Sequence, residues 1–189
     1  GDLQAFILQA TPRGLLQNGR LALMAAAHVL PHMGDKMPDG VIMGERGAVG
    51  PFARPSPLND WFVNAYRDAY KQDPASASAY RMAQSLLGLK LAAEKVMSAN
   101  GGKKPSAEEL AKAMEGMEWD TPSGRIQMAL GKGHQAIQDA AIGVTKWDPE
   151  KKAVTLVKVR YYDAQCINPP EGMKSVDWLK PSYRKTACK

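Results

Sequence analysis

The sequence lacks the marks of several large functional classes. It holds two cysteines in 189 residues, Cys166 and Cys188, with no C-x-x-C pair and no zinc-type spacing. The two can close a short loop over the C-terminal end or stand as separate thiols, and the spacing leaves both open. Histidine is equally scarce, at three. His28 and His32 stand four apart, but Pro31 lies between them and no Glu follows His28 as H-E-x-x-H requires. With His134 far along the chain and no matching Cys or carboxylate constellation, no metal is expected. The glycine-rich stretch GERGAVG is not followed by G-K-[ST], and no G-x-S-x-G elbow occurs. Without a nucleophile–base pair nothing supports catalysis, and no cofactor is expected. No apolar run is long enough to span a bilayer, which argues against direct membrane insertion. The net charge of +6 is spread from Arg13 to Lys189 without interleaved aromatics. It reads as solvated surface, so no nucleic acid is expected as partner.

What is present is the pattern of an α/β chain, with 44% hydrophobic and 23% charged residues. The sequence opens without an initiator Met, a basic leader or an apolar signal core. Leu3, Phe6, Ile7 and Ala10 repeat as the apolar stripe of a helix that ends near Pro12. GRLALM, residues 19–24, suits a short buried strand. A short helix broken by Pro31 and Gly34 follows, and GVIMGE, residues 40–45, suits a second strand. That α-β-α-β alternation predicts a parallel sheet covered by helices. RGAVGPFARPSP is a connector rich in proline and glycine. Ser56 then caps a helix with Pro57 at its first position, its buried side formed by Leu58, Trp61, Phe62, Ala65, Tyr66 and Ala69.

A longer helix is expected from about residue 76 to 98, apolar over most of its circumference and so buried on several sides. Ser106 and Glu109 form a capping box for a further helix, and Arg125 to Leu130 reads as a strand. The closing hairpin turns at Asp148-Pro149, and its second arm sets Val157, Val159 and Tyr161 against Lys158 and Arg160. Among the aromatics, Trp119 reads as core packing and Phe52 sits in the connector. Tyr80 opens an apolar helix with a polar tip that needs a partner, which a ligand or the core can supply.

Taken in order, these pieces resemble a known family. The Phe62…Tyr66…Tyr70…Pro74 spacing, the Tyr80-x-x-x-Gln84-Ser85-Leu86 helix and Gly116 before Thr121-Pro122-x-Gly124 are matching features. So is His134-Gln135 ahead of the hairpin. Over about residues 1–165 their order is similar to the type I periplasmic binding proteins of the leucine/isoleucine/valine-binding group, solute receptors of ABC-type importers. The resemblance implies a two-lobed α/β fold of helix-covered parallel sheets with hinge crossings, ligand being caught by cleft closure. It assigns residues 1–52 and 131–165 to the second lobe, 53–130 to the first and 166–189 to a tail, with crossings near Pro51 and Leu130. It implies that the N-terminal lobe lies upstream, together with any signal peptide.

For the site, the resemblance puts Tyr80 first, followed by the hinge loop with Arg46 and Phe52, and Leu23 on the first strand. Amino-acid-binding members carry an acidic residue just after that strand, where this sequence has only Leu21 to Met24. An amide, a carboxylic acid or an aromatic acid therefore suits the site better than an α-amino acid. The implied partners are a small polar solute and the membrane permease of the importer. The implied location is the periplasm, or the cell surface with a lipid anchor in a one-membrane bacterium. The alternative is a ligand-sensing regulatory domain of the same fold, and a small α/β enzyme comes third.

Overall fold

A computed structural model describes residues 2–17, 19–74 and 77–182. Helix α1, Asp2–Ala10, buries Ile7 and Ala10 and leaves Phe6 half exposed. Strand β1, Ala22–Met24, runs parallel to β2, Ile42–Arg46. Between them a 3-10 turn, Ala27–Val29, runs into α2, Leu30–Met33. Pro31 stands in the first turn of α2, where its missing N–H interrupts nothing. The break predicted at Pro31 is therefore a start, and Gly34, at φ +52°, supplies the stop. β1 is also not a buried strand. It pairs with β2 alone, and Ala22 and Met24 are exposed.

Two further strands complete this sheet antiparallel: β6, Ala140–Asp148, and β7, Ala153–Tyr162, in the order β1-β2-β6-β7. The register of β7 slips where Ile142 faces Arg160 but Val144 faces Val157. Lys158 takes a left-handed φ of +53° in that bulge. The alternation read from the sequence therefore fails at Val157, which turns to solvent. Val154 and Leu156 before the bulge, and Val159 and Tyr161 after it, all join one core. Without the extra residue one of these pairs would face water. That core is centred on Ile7, Leu30, Met33, Met43 and Phe52.

The chain leaves this sheet after β2 and builds α3, Pro57–Tyr70, α4, Ala77–Ala99, and α5, Ala107–Met114. A second, antiparallel sheet follows, with β3 at Glu118–Thr121, β4 at Gly124–Leu130 and β5 at Gln135–Ile137. The Ser56 cap accepts the Asn59 N–H at 3.1 Å, and the Ser106–Glu109 capping box closes in both directions. Because β5 pairs with β4, the return to the first sheet comes at Gln138–Asp139 and not at Leu130. The C-terminal segment adds two short helices, α6, Ala164–Ile167, and α7, Ser175–Ser182. Cys188 lies outside the described residues, and so does any pairing of it with Cys166.

Two helix faces differ from expectation. In α3 only Asn59 and Phe62 are buried; Leu58 and Tyr66 are half-buried, while Trp61, Ala65 and Ala69 are exposed. α4 buries Tyr80, Gly88 and Ala92 and is covered along one strip only. Met82, Leu86, Leu89, Leu91 and Met97 remain open. Trp119 holds the covered strip: its Nε1–H donates to the Gln84 carbonyl at 3.1 Å and its ring lies over Gly88. A glycine there lets the indole approach the helix backbone directly.

Candidate functional site

In open α/β sheets ligands collect outside the carboxyl ends of the parallel strands, where chain connections diverge. Here those ends are Met24 and Arg46. After β1 the chain turns sharply at Ala25, φ +57°, and lays residues 26–33 across the strand ends. On β2, Met43 and Glu45 share a face by the two-residue period, so the face that carries Met43 into the core also carries a carboxylate inward. Glu45 Oε1 accepts the Ala27 N–H at 3.3 Å. Oε2 is buried and makes no hydrogen bond. The nearest cation is the Arg81 guanidinium on α4, at 3.6 Å. Burial pushes the Glu45 carboxyl up from its ordinary value, while the Ala27 N–H and the charges of Arg81 and His28 pull it back.

A cavity of about 710 Å³ opens between the segment after β1 and the helices α3 and α4, and its lining includes neither Glu45 nor Arg81. His28 and His32 line one wall, and Tyr66, Asp73 and Ser78 the other. Its size suits a small organic molecule. Arg81 stands one helical turn beyond Ser78.

The residues expected at the site are dispersed. Tyr80 lies inside the molecule, its ring 4.8 Å from that of Phe62 and its hydroxyl donating to Asn59 Oδ1 at 3.4 Å. Burial raises its phenol above the usual range. Phe52 is fully buried under the first sheet, and its carbonyl accepts the Tyr161 hydroxyl at 2.8 Å. Arg46 is exposed and its guanidinium donates to the Ala136 carbonyl, bridging β2 to β5. Leu23 is half-buried against the first core. None of these four lines the cavity, though Tyr80 directly precedes Arg81 in sequence. The Glu45–Arg81 pair was not among the residues expected. The signal for Glu45 was legible: a charge on the same alternation as Val41 and Met43, directly after an apolar run.

The crossings run alongside. Gly47 N–H donates to the Asp139 carbonyl at 2.6 Å, and Ala48 N–H to the Ser123 carbonyl at 3.0 Å. The sequence matches the periplasmic binding protein family over residues 1–152. The chain belongs to that family. No curated protein matches the sequence. Among solved periplasmic binding proteins, the chain superposes on a solute-binding protein of an ABC transporter from Rhodopseudomonas palustris BisB5, solved with 3,4-dihydroxybenzoic acid. The TM-score is 0.64 at 24% identity, covering 85% of this chain and 42% of that one. A leucine-binding protein, LivK, from Thermotoga maritima gives 0.58 at 18%, covering 84% and 41%. A solute-binding protein from R. palustris in complex with benzoate gives 0.59 at 18%, covering 82% and 39%.

The chain therefore spans about two fifths of the length of the structures it matches. At these identities the shared property is the fold, a portion of the two-lobed type I periplasmic-binding architecture. Those relatives are solute-binding proteins.

Proposed function

We propose that this chain forms part of the solute receptor of an ABC-type importer, taking a small polar solute into a cleft that closes on it. The observation that carries the reading is the cavity between residues 28–32, which follow the first of the parallel strands, and the helices α3 and α4. One body is built from residues 2–46 with 140–162, the other from 57–137, and the crossings at 47–56 and 138–139 are the hinge. The solute is an amide, a carboxylic or aromatic acid, or an amino-acid-like molecule. Related receptors were solved with benzoate and dihydroxybenzoate, and one is a leucine-binding protein, which supports that range. The receptor works outside the cytoplasmic membrane, in the periplasm or lipid-anchored at the cell surface, and delivers its solute to a permease without altering it. Among the described residues no helix is long and apolar enough to cross a membrane.

The test uses the full-length receptor. Titration calorimetry against a panel of small carboxylic acids, amides and amino acids is paired with small-angle X-ray scattering. The expected result is saturable binding of at least one panel member, with a fall in radius of gyration on binding. A receptor whose shape ignores every solute, or that converts the solute it binds, would overturn the reading.

A further inference from the structure

After β7 the chain makes a third passage between the two bodies, in a stretch beyond the family match, which stops at residue 152. β7 belongs to the first body, where Tyr162 pairs with Ala140 beside the hinge. The tail then turns at Asp163, whose carboxylate caps α6 by accepting the Gln165 N–H at 2.8 Å. Ala164 N–H donates to Asp139 Oδ1 at 3.1 Å, which roots the tail on a hinge crossing. The Asn168 amide donates to the Ala164 carbonyl at 2.8 Å and keeps the next turn compact. From that root the tail lies on the second body. Gln165 Nε2–H donates to Gln127 Oε1 on β4 at 2.5 Å. Lys132 N–H, in the turn after β4, donates to Glu171 Oε1 at 2.9 Å. This grip and the cavity lie on opposite faces of the second sheet. Trp119 pairs with Ile126 across β3 and β4, and the Trp119 ring lies over Gly88, so that face packs on α4. Gln127 follows Ile126 and points the other way by the two-residue period. The cavity is walled from the helical side, by Tyr66 of α3 and Ser78 of α4.

Resting on the receptor reading above, we infer that residues 163–171 are a strap that opposes closure of the cleft. Closure swings α3 and α4 toward residues 28–32. The same rotation carries the opposite face of the second sheet, with Gln127 and Lys132, away from the end of β7. The strap is rooted at Asp139 and held compact, so its two hydrogen bonds to the second body open as the cleft shuts. Solute binding works against them, and the observed affinity is the intrinsic one reduced by the fraction of receptor that is closed. Gln165 and Glu171 are exposed, and hydrogen bonds in water have the strength this needs. Each biases the equilibrium a few-fold and still breaks when solute binds. The strap touches no part of the cavity, so it scales the affinity for every solute alike and leaves selectivity to the cavity lining.

The experiment uses the full-length receptor and titration calorimetry with the solute panel, benzoate, 4-hydroxybenzoate and L-leucine among its members. Gln165→Ala combined with Glu171→Ala removes both bonds at exposed positions. Every panel member that binds should bind about three- to tenfold tighter, by one common factor within about twofold. Glu171→Gln alone removes the charge and keeps an acceptor for the Lys132 N–H, so its affinities should stay within about twofold of native. Hydrogen–deuterium exchange on the native receptor reads the bond itself: the peptide carrying the Lys132 amide should exchange faster with solute bound. Unchanged or weakened affinities in the double variant overturn the inference, and so does a factor that differs between solutes. A gain in Glu171→Gln as large as in the double variant overturns it, since charge alone would then be acting. Equal or slower exchange at Lys132 on solute binding overturns it too. If the double variant does not fold, that exchange measurement decides alone. Each of these failures leaves the receptor reading intact, whereas a panel of which no member binds takes both down together.

Discussion

Gln138 occupies the space where Gly47 has no side chain: a β-carbon on Gly47 would stand 2.7 Å from Gln138 Oε1. The Gln138 amide nitrogen in turn donates to the Ser123 carbonyl at 3.0 Å, and Ser123 Oγ donates to Gln84 Oε1 at 2.8 Å. Two crossings of the chain and helix α4 thus share one buried polar network. Such networks are costly to leave half-satisfied.

Gly47→Ala should therefore destabilise the protein by about 2–3 kcal/mol, from the left-handed φ of +83° and from the displaced amide together. Urea unfolding reads this directly. Adding Gln138→Ala should remove the crowding and leave the backbone strain. A loss of under about 0.5 kcal/mol in the single variant would mean that the Gln138 amide moves aside without cost.

Tyr80→Phe should lower thermal stability by about 1 kcal/mol, because Asn59 Oδ1 loses its donor inside a packed cluster with Phe62 and Val49. Solute affinity should hold. The opposite result, unchanged stability with weakened binding, would return Tyr80 to the cleft.

Glu45 sets a pH dependence whose sign follows from burial. The folded chain holds the Glu45 proton more tightly than the unfolded chain, where the carboxyl titrates near 4.5. Above that pH the folded state binds more protons, so this group makes stability decline as pH rises from about 4.5 through the higher folded value. Arg81 and His28 face it and moderate the slope. Glu45→Gln should flatten the decline, and its stability relative to the native protein should improve as the pH rises above about 4.5. Unfolding midpoints that run parallel as the pH rises above 4.5 would disprove the assignment.

Lys158→Gly should stabilise the chain by about 0.5–1 kcal/mol, since Lys158 holds a φ of +53° that a residue with a β-carbon adopts at a cost. Loss of stability on this substitution would show that the Lys stem packs against the strand.

Much of the frame was readable because it is set locally. Ser56 and Ser106 each start a helix through a side chain that reaches three residues along, and the Asp148 turn closes on Glu150 and Lys151. The parallel pairing of β1 and β2 follows from alternation of short apolar runs. What escaped was set at a distance. The β7 bulge is fixed by which side chains the first core admits, and β5 by a bulged pairing with β4 across a four-residue turn. The exposure of Leu86 and Leu89 depends on how little packs over α4. At the site, no spacing rule joins positions 27, 45 and 81, which meet only when α4 is laid beside the strand ends. Tyr80 was weighed between ligand and core, and the Asn59 that receives its hydroxyl sits 21 residues earlier on another helix.

The open row on α4, Met82, Leu86, Leu89 and Met97, has its own consequence for handling this chain by itself. An exposed apolar strip of this kind is adhesive, so the folded form gains free energy by meeting other copies. Folding of the 189-residue chain alone is then tied to mass action. Its thermal midpoint should climb with protein concentration, and sulfate should accentuate the climb.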